Sequence, residues 1–244
     1  MKRIILMVIR CLPFIPYWFY KLELLGRSDR FDEKTRFTFV KKMTTHINRV
    51  GRVIIQSSGQ ERLPKENGYV LFPNHQGLYD VLAFLECHER PFSVVAKQEV
   101  KNIILLKQVF RVLRAQMIDR NDVRQGLKVI KKMTEEVLQG RNYIIFAEGT
   151  RSKNGNEIGE FKAGSFKSAM NAKCPIVPVA LIDAFIPFDQ NSIKKTIVQV
   201  HFLEPIYYEQ YKDMKSKEIA LMVEERIRTA IHQRINGSEQ NDTI

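Results

Sequence analysis

The chain has 244 residues and a hydrophobic fraction of 44%, enough for one α/β domain with an appendage and a real core, which excludes a disordered chain. Lys and Arg number 39 against 27 Asp and Glu, and the net charge of +12 points to a polyanionic partner such as anionic lipid or a phosphorylated substrate. Zinc-finger spacing, an RNP-like aromatic motif and a basic-region zipper are missing, so nucleic acid is set aside; Cys11, Cys87 and Cys174 stand far apart with no C-x-x-C pair, which excludes a disulfide framework and fits a reducing compartment.

The first segment, MKRIILMVIRCLPFIPYWFYKLELLG, sets Lys2 and Arg3 before an apolar run, as a signal peptide does. Arg10, Pro13 and Pro16 interrupt that run, and no small-residue cleavage site follows. A spanning helix needs ~20 mostly apolar residues. An arginine near its centre costs about 2.5–3.5 kcal/mol, cancelling several Leu or Ile at about 0.3–0.6 each. Two prolines also interrupt helical hydrogen bonding at membrane depth. The rings of Tyr17, Trp18, Phe19 and Tyr20 suit the headgroup level. The expectation is a monotopic or peripheral segment in the interface of an anionic membrane, on the cytoplasmic face; a segment folded back on its own domain is the alternative.

Residues 32–50 put Phe37, Val40, Met43, Ile47 and Val50 on one helical face, with Asp32 and Glu33 at the start and Gly51 as a stop. Lys34, Lys41, Lys42 and Arg49 decorate the rest, so the stripe serves either an anionic lipid surface or the domain core. From residue 51 the runs GRVIIQSSG, GYVLFPN, FSVVAK, AQMID, NYIIFAEG, CPIVPVALI and TIVQVHF read as strands. Helical patterns lie between them near 80–88, 102–113, 122–139 and 161–172, and a last one at 216–235 spaces Ile219, Val223, Ile227 and Ile231 by four. This alternation indicates βαβ units, an α/β fold with a mainly parallel sheet flanked by helices. The expected organisation is a helical membrane-interfacial motif over 1–50, the α/β domain over 51–236 and a polar tail over 237–244.

In an open parallel sheet, ligand sites form outside the carboxyl ends of the strands. His75 follows GYVLF, Arg120 follows AQMID, and Glu148 to Arg151 follow NYIIFA, so three polar clusters fall at one edge. His75 and Asp80 in PNHQGLYD allow two readings. In one, the carboxylate holds Nδ1–H and leaves Nε2 to take a proton; in the other, both merely cap a helix. Gly77 gives this turn room. Arg120 and Arg151 could fork a phosphate, and Glu148 could order an arginine or a glycerol hydroxyl.

Other chemistry lacks its residues. There is no G-x-S-x-G elbow, and no cysteine stands in a catalytic context. In GEFKAGSFKS, Ser165 replaces the lysine a P-loop requires. No zinc spacing occurs, so neither metal nor cofactor is expected, and His46, His88, His201 and His232 read as surface or packing residues.

NHQGLYD, MIDR, FAEGTR and IVPVAL, in this order and at these separations, resemble the glycerolipid acyltransferase family, whose most similar members are the 1-acyl-glycerol-3-phosphate acyltransferases. The resemblance covers about residues 70–182, with a similar N-terminal membrane-associating region. It implies a glycerol-3-phosphate acyltransferase-like fold, His75 as general base and Asp80 as its partner. It also implies an acceptor site from Arg120, Glu148, Gly149, Thr150 and Arg151, with Lys97 and Lys162 as further anion contacts. The segment around Pro178 is associated with acyl-chain or structural roles. The implied reaction moves a fatty acyl group from acyl-CoA or acyl carrier protein to lysophosphatidic acid. Glycerol 3-phosphate or another lysophospholipid is the alternative acceptor, and a noncatalytic lipid-binding protein the alternative class. Two departures stand out: Ala147 replaces a usual proline, and Arg114 and Met117 replace a usual glycine and phenylalanine where specificity could change.

Overall fold

The computed structural model describes residues 1–98, 105–119 and 122–241. Each of the seven apolar runs forms a strand: β1 Val53–Ser58, β2 Val70–Pro73, β3 Phe92–Lys97, β4 Gln116–Ile118, β5 Asn142–Ile144, β6 Ile176–Ile182 and β7 Thr196–Phe202. They build one sheet in the order β1-β7-β6-β2-β5-β3-β4. Among these strands only β6 and β7 pair antiparallel in the described residues, so β1 and β7 run against the other five. The helices are α1 Lys2–Cys11, α2 Ile15–Arg27, α3 Glu33–Val50, α4 Asp80–Cys87, α5 Leu106–Val112, α6 Val123–Leu138, α7 Lys167–Ala172, α8 Ile186–Asp189, α9 Tyr208–Tyr211 and α10 Ser216–Asn241.

The strands carry apolar side chains on both faces, as a sheet covered on both sides requires. In β6, Val177, Val179 and Leu181 join one core with Leu71 of β2 and residues of α1 to α5. Ile176, Ala180 and Ile182 point the other way, joining Val70 and Phe72 in a second core under α6, α7 and α10. The four-spaced Ile219, Val223, Ile227 and Ile231 of α10 are all buried there.

Asp32 caps α3, accepting from the Thr35 amide at 2.7 Å. The stripe at Phe37, Val40 and Met43 is buried in the first core, and Ile47 and Val50 pack against it, so this face belongs to the domain. The N-terminal segment is two-faced. Pro13 and Pro16 sit in the first turns of a 3-10 turn (Leu12–Phe14) and of α2, positions where their missing N–H is harmless. Together residues 2–27 are long and apolar enough to cross a membrane, by length and composition. One face is held by the domain: Met7, Cys11, Trp18, Leu22 and Leu25 are buried in the first core. Arg3 is buried as well, donating to the Gly51 and Lys194 carbonyls at 2.7 Å each, and Arg10 donates to the Val50 carbonyl at 3.0 Å. The other face exposes Ile5, Val8, Ile9, Leu12, Phe14, Tyr17, Phe19 and Tyr20.

Three expectations change. Trp18 does not join an outward ring belt; it turns inward beside Phe14 and His46, with ring centroids at 5.7 and 5.6 Å. The helix expected over 161–172 opens as a 3-10 turn, Ala163–Phe166, at a stretch where Gly164 lowers helical propensity. At the other end, α10 runs on through the polar residues to Asn241 rather than stopping near 235.

Candidate active site

Strands β2, β5, β3 and β4 are mutually parallel, so their carboxyl ends share one edge of the sheet. β2 ends at Pro73 and releases the chain into His75, just before α4. His75 Nδ1 lies 2.7 Å from Asp80 Oδ2. The same oxygen accepts the Gln76 amide at 2.8 Å, and the Gly77 amide reaches both carboxylate oxygens, at 3.0 and 3.1 Å. Asp80 is 0% exposed and opens α4, where the helix dipole also favours a carboxylate. Asp80 thus organises the turn before α4 through the Gln76 and Gly77 amides and holds the imidazole with the same side chain, while no side chain caps α4 itself. Gly77 contributes its amide more than its lack of a side chain, because a Cβ there would meet nothing closer than 3.9 Å.

An Nδ1–H bonded to Asp80 leaves the neutral imidazole with its lone pair on Nε2. His75 makes no hydrogen bond through Nε2 among the described residues, its side chain is 22% exposed, and the Phe146 ring centroid lies 4.4 Å from its own. The ring is thus fixed at one nitrogen and open at the other, the arrangement a general base needs.

The loop after β5 clamps this histidine. Glu148 Oε1 accepts the His75 amide at 2.7 Å, and the His75 carbonyl accepts the Ser152 amide at 2.8 Å. Glu148 Oε2 accepts from the Gly159 amide at 2.8 Å. A Cβ on Gly159 would come within 2.8 Å of that oxygen, so the close approach requires glycine. Gly149 adopts φ 75, the left-handed region glycine tolerates best. Burial pushes the Glu148 carboxyl above its ordinary range, opposed by the two amide hydrogen bonds. Glu148, expected on the acceptor, has both oxygens on backbone amides and is 5% exposed.

The flanking polar residues are fasteners that periodicity does not single out. Asn74 pairs with both backbone groups of Leu181, accepting at 2.7 Å and donating at 3.0 Å. Gln76 accepts from the Ala184 amide at 2.6 Å and donates to Asn156 Oδ1 at 2.7 Å. Asn156 in turn holds Asp183, whose φ of 61 reverses the chain after β6. Pro178 lies inside the fully buried β6, which places that segment in the scaffold beneath His75. An amide side chain on each side of His75, directly after a buried strand, is the one signal the sequence holds for this network.

The phosphate-binding candidates are distributed unevenly. Arg151 and Thr150 lie on the loop beside His75, and Arg151 Nη1 lies 3.8 Å from Asp189 Oδ1 of α8. Lys97 ends β3 at the same edge. Lys162 is exposed beside Glu160, and its amide donates to the Ala147 carbonyl at 2.8 Å, which secures the loop despite the absence of proline. Arg120 lies outside the described residues. Arg114 does not reach this edge: it precedes β4, at the opposite end of the strands, and has φ 55, which explains why glycine would suit its position.

Burial pushes the thiols of Cys87 and Cys174 up to about 12, and no group of three metal-ligating side chains occurs among the described residues. His88 and His201 are buried and hydrogen-bonded packing residues.

The clamp yields a prediction. Glu148→Gln keeps the shape but sets an NH2 group against one of the two backbone amides. Loss of one such bond with an unsatisfied buried donor costs about 1–3 kcal/mol. The expected result is a lower Tm together with a fall in turnover, read by thermal melting and a steady-state assay on the same preparation; a Tm and rate equal to wild type would refute the clamp.

The acyltransferase family matches residues 54–182 of the chain. A probable 1-acyl-sn-glycerol-3-phosphate acyltransferase of Mycoplasma genitalium is 29% identical over 166 residues, covering 66% of this chain and 61% of the relative. The 1-acyl-sn-glycerol-3-phosphate acyltransferase of Escherichia coli is 29% identical over 152 residues, 62% of each chain. The chain thus spans about three fifths of the length of the curated relatives it matches. Among solved structures, the 1-acyl-sn-glycerophosphate (LPA) acyltransferase PlsC from Thermotoga maritima superposes with a TM-score of 0.74 at 20% identity, covering 95% of this chain and 96% of that one. At that identity, the superposition establishes a shared fold.

Proposed function

The chain belongs to the acyltransferase family, and on that premise we propose that it acylates the free hydroxyl of 1-acyl-glycerol 3-phosphate, giving phosphatidic acid. The donor is a fatty acyl thioester of coenzyme A or of acyl carrier protein. The observation that carries this reading is the His75–Asp80 pair, 2.7 Å apart, with Nε2 open at the edge of the sheet. Nε2 takes the hydroxyl proton as the oxygen attacks the thioester carbonyl, and Asp80 stabilises the imidazolium. The tetrahedral intermediate collapses to the new ester as the C–S bond breaks, and the leaving thiolate takes the proton from the His75 imidazolium, restoring the base. A thioester is already activated, so no enzyme nucleophile is required. The names of the matched relatives support the acceptor. Release of free thiol from an acyl thioester, dependent on added lysophosphatidate, tests the reaction; release at the same rate without acceptor would contradict it.

The exposed face of α1 and α2 supports seating on a membrane surface, with the apolar side chains in the leaflet and the basic domain on its anionic cytoplasmic face. Deleting residues 1–25 is a poor test, since it removes the buried Trp18, Leu22 and Leu25 from the core. Phe19→Ser with Tyr20→Ser changes only exposed rings, Tyr20 being 63% exposed. Each ring contributes roughly 1 kcal/mol or more at the interface, so binding to anionic vesicles is expected to weaken at least roughly tenfold with Tm unchanged. Unaltered vesicle binding would remove this face from the membrane contact.

A further inference from the structure

At the amino ends of β4 and β5, on the edge of the sheet opposite His75, a cavity of about 460 Å³ opens between α3, α5 and α6. Arg36, Arg114, Lys132 and Arg141 line it together with the acids Asp29 and Glu136. The acids are already engaged. Asp29 accepts from Arg114, while Glu136 accepts from Arg141 at 2.8 Å and from the Tyr143 hydroxyl, with Lys132 at 3.9 Å. Arg141 also holds Glu33 at 3.0 Å, and the remaining lining arginine, Arg111, is paired with Glu23 at 3.1 Å.

Arg36 is left over. It is 7% exposed, its Nε has no hydrogen-bond partner, and no acid among the described residues forms an ion pair with its guanidinium. A buried, unpaired cation is destabilising on its own. Burial first, and then Arg114 and Arg141, hold the Arg36 pKa below the ordinary arginine value, with Glu33 and Asp29 opposing them. Arg114, at φ 55 in the turn that ends α5, also lines the cavity.

We propose that this cavity is a second anion site, for a phosphate group, with Arg36 as its central contact and Arg114 and Arg141 at its sides. A planar guanidinium short of acceptors is suited to a phosphate oxygen pair, and the anion would relieve the repulsion among the three arginines. The site is separate from the reaction: it lies at the other end of the parallel strands and holds no residue of the His75 cluster. Its phosphate could come from solution or from a lipid headgroup, and the two sources are separable.

The test uses the full chain. Inorganic phosphate, against chloride at equal ionic strength, is expected to raise the wild-type Tm by roughly 2–4 °C near saturation. Arg36→Met removes the charge at similar volume and is expected to melt at or above wild type without phosphate and to lose the phosphate-dependent rise. Arg114→Gly suits the φ 55 turn, guards against a folding failure at Arg36, and is expected to diminish the same rise. Arg151→Ala, at the other edge, is expected to retain it. If free phosphate gives no such difference, binding to phosphatidylcholine vesicles with and without phosphatidate is compared for wild type and Arg36→Met. A phosphatidate-dependent gain that Arg36→Met loses assigns the site to a lipid headgroup. Equal responses of wild type and Arg36→Met to both free phosphate and phosphatidate would overturn the proposal.

Discussion

His75→Ala is expected to lower acceptor-dependent thiol release by about 10²–10⁴, the contribution of a well-placed general base, with the Tm close to wild type. The fold should survive because Asp80 keeps its amide partners, Gln76 and Gly77, without the imidazole. Asp80→Asn is the harsher change for structure. Its oxygens accept three donors, counting His75 Nδ1, and an amide NH2 would confront one of them. It should therefore lose turnover and lower the Tm, either by releasing the ring or by loosening the turn that opens α4. A folded His75→Ala protein with wild-type rates would discard the general-base role.

Arg151→Ala is expected to reduce kcat/KM for lysophosphatidate by roughly ten- to over a hundredfold, since charged hydrogen bonds contribute about 1.5–3 kcal/mol each. In the free protein Arg151 leans toward Asp189 at 3.8 Å, and both side chains are about half exposed. Such a surface pair is worth about 0–1 kcal/mol, so a phosphate can displace the carboxylate at little cost. Arg151→Lys should recover only part of the loss, because an ammonium cannot reproduce the bidentate fork. Wild type should prefer lysophosphatidate to lysophosphatidylcholine, whose phosphate is a diester beside a cation, and Arg151→Ala should narrow the preference. Measured kcat/KM values for both acceptors in both proteins decide it; an unchanged preference in the variant removes phosphate reading from Arg151.

Much of the scaffold is legible because burial on both faces leaves a simple record. The continuous apolar runs at 70–73 and 176–182 form the fully buried β2 and β6, and the four-spaced stripe of α10 forms its core face. The placement of His75 beside the 148–152 loop follows from topology, since parallel strands share their carboxyl edge. Roles that depend on which atom meets which amide are not legible. Nothing in the composition of FAEGTR indicates that Glu148 turns inward to His75 and Gly159 while Arg151 stays outside. The N-terminal segment is ambiguous for a different reason. Its apolar residues suit lipid or core equally, and only the placement of Arg3 and Trp18 against the domain separates the two faces.

The most direct measurement is mass spectrometry of the products formed by the purified chain, given acyl-CoA or acyl carrier protein thioesters and a panel of glycerol 3-phosphate, lysophosphatidate and lysophosphatidylcholine. The expected result is phosphatidic acid as the main product, with equimolar free thiol, and about 10²–10⁴-fold less of both from His75→Ala. Absence of any newly acylated lipid from every donor and acceptor, in a protein that melts cooperatively and binds vesicles, would contradict acyl transfer and leave a lipid-binding protein on an acyltransferase fold.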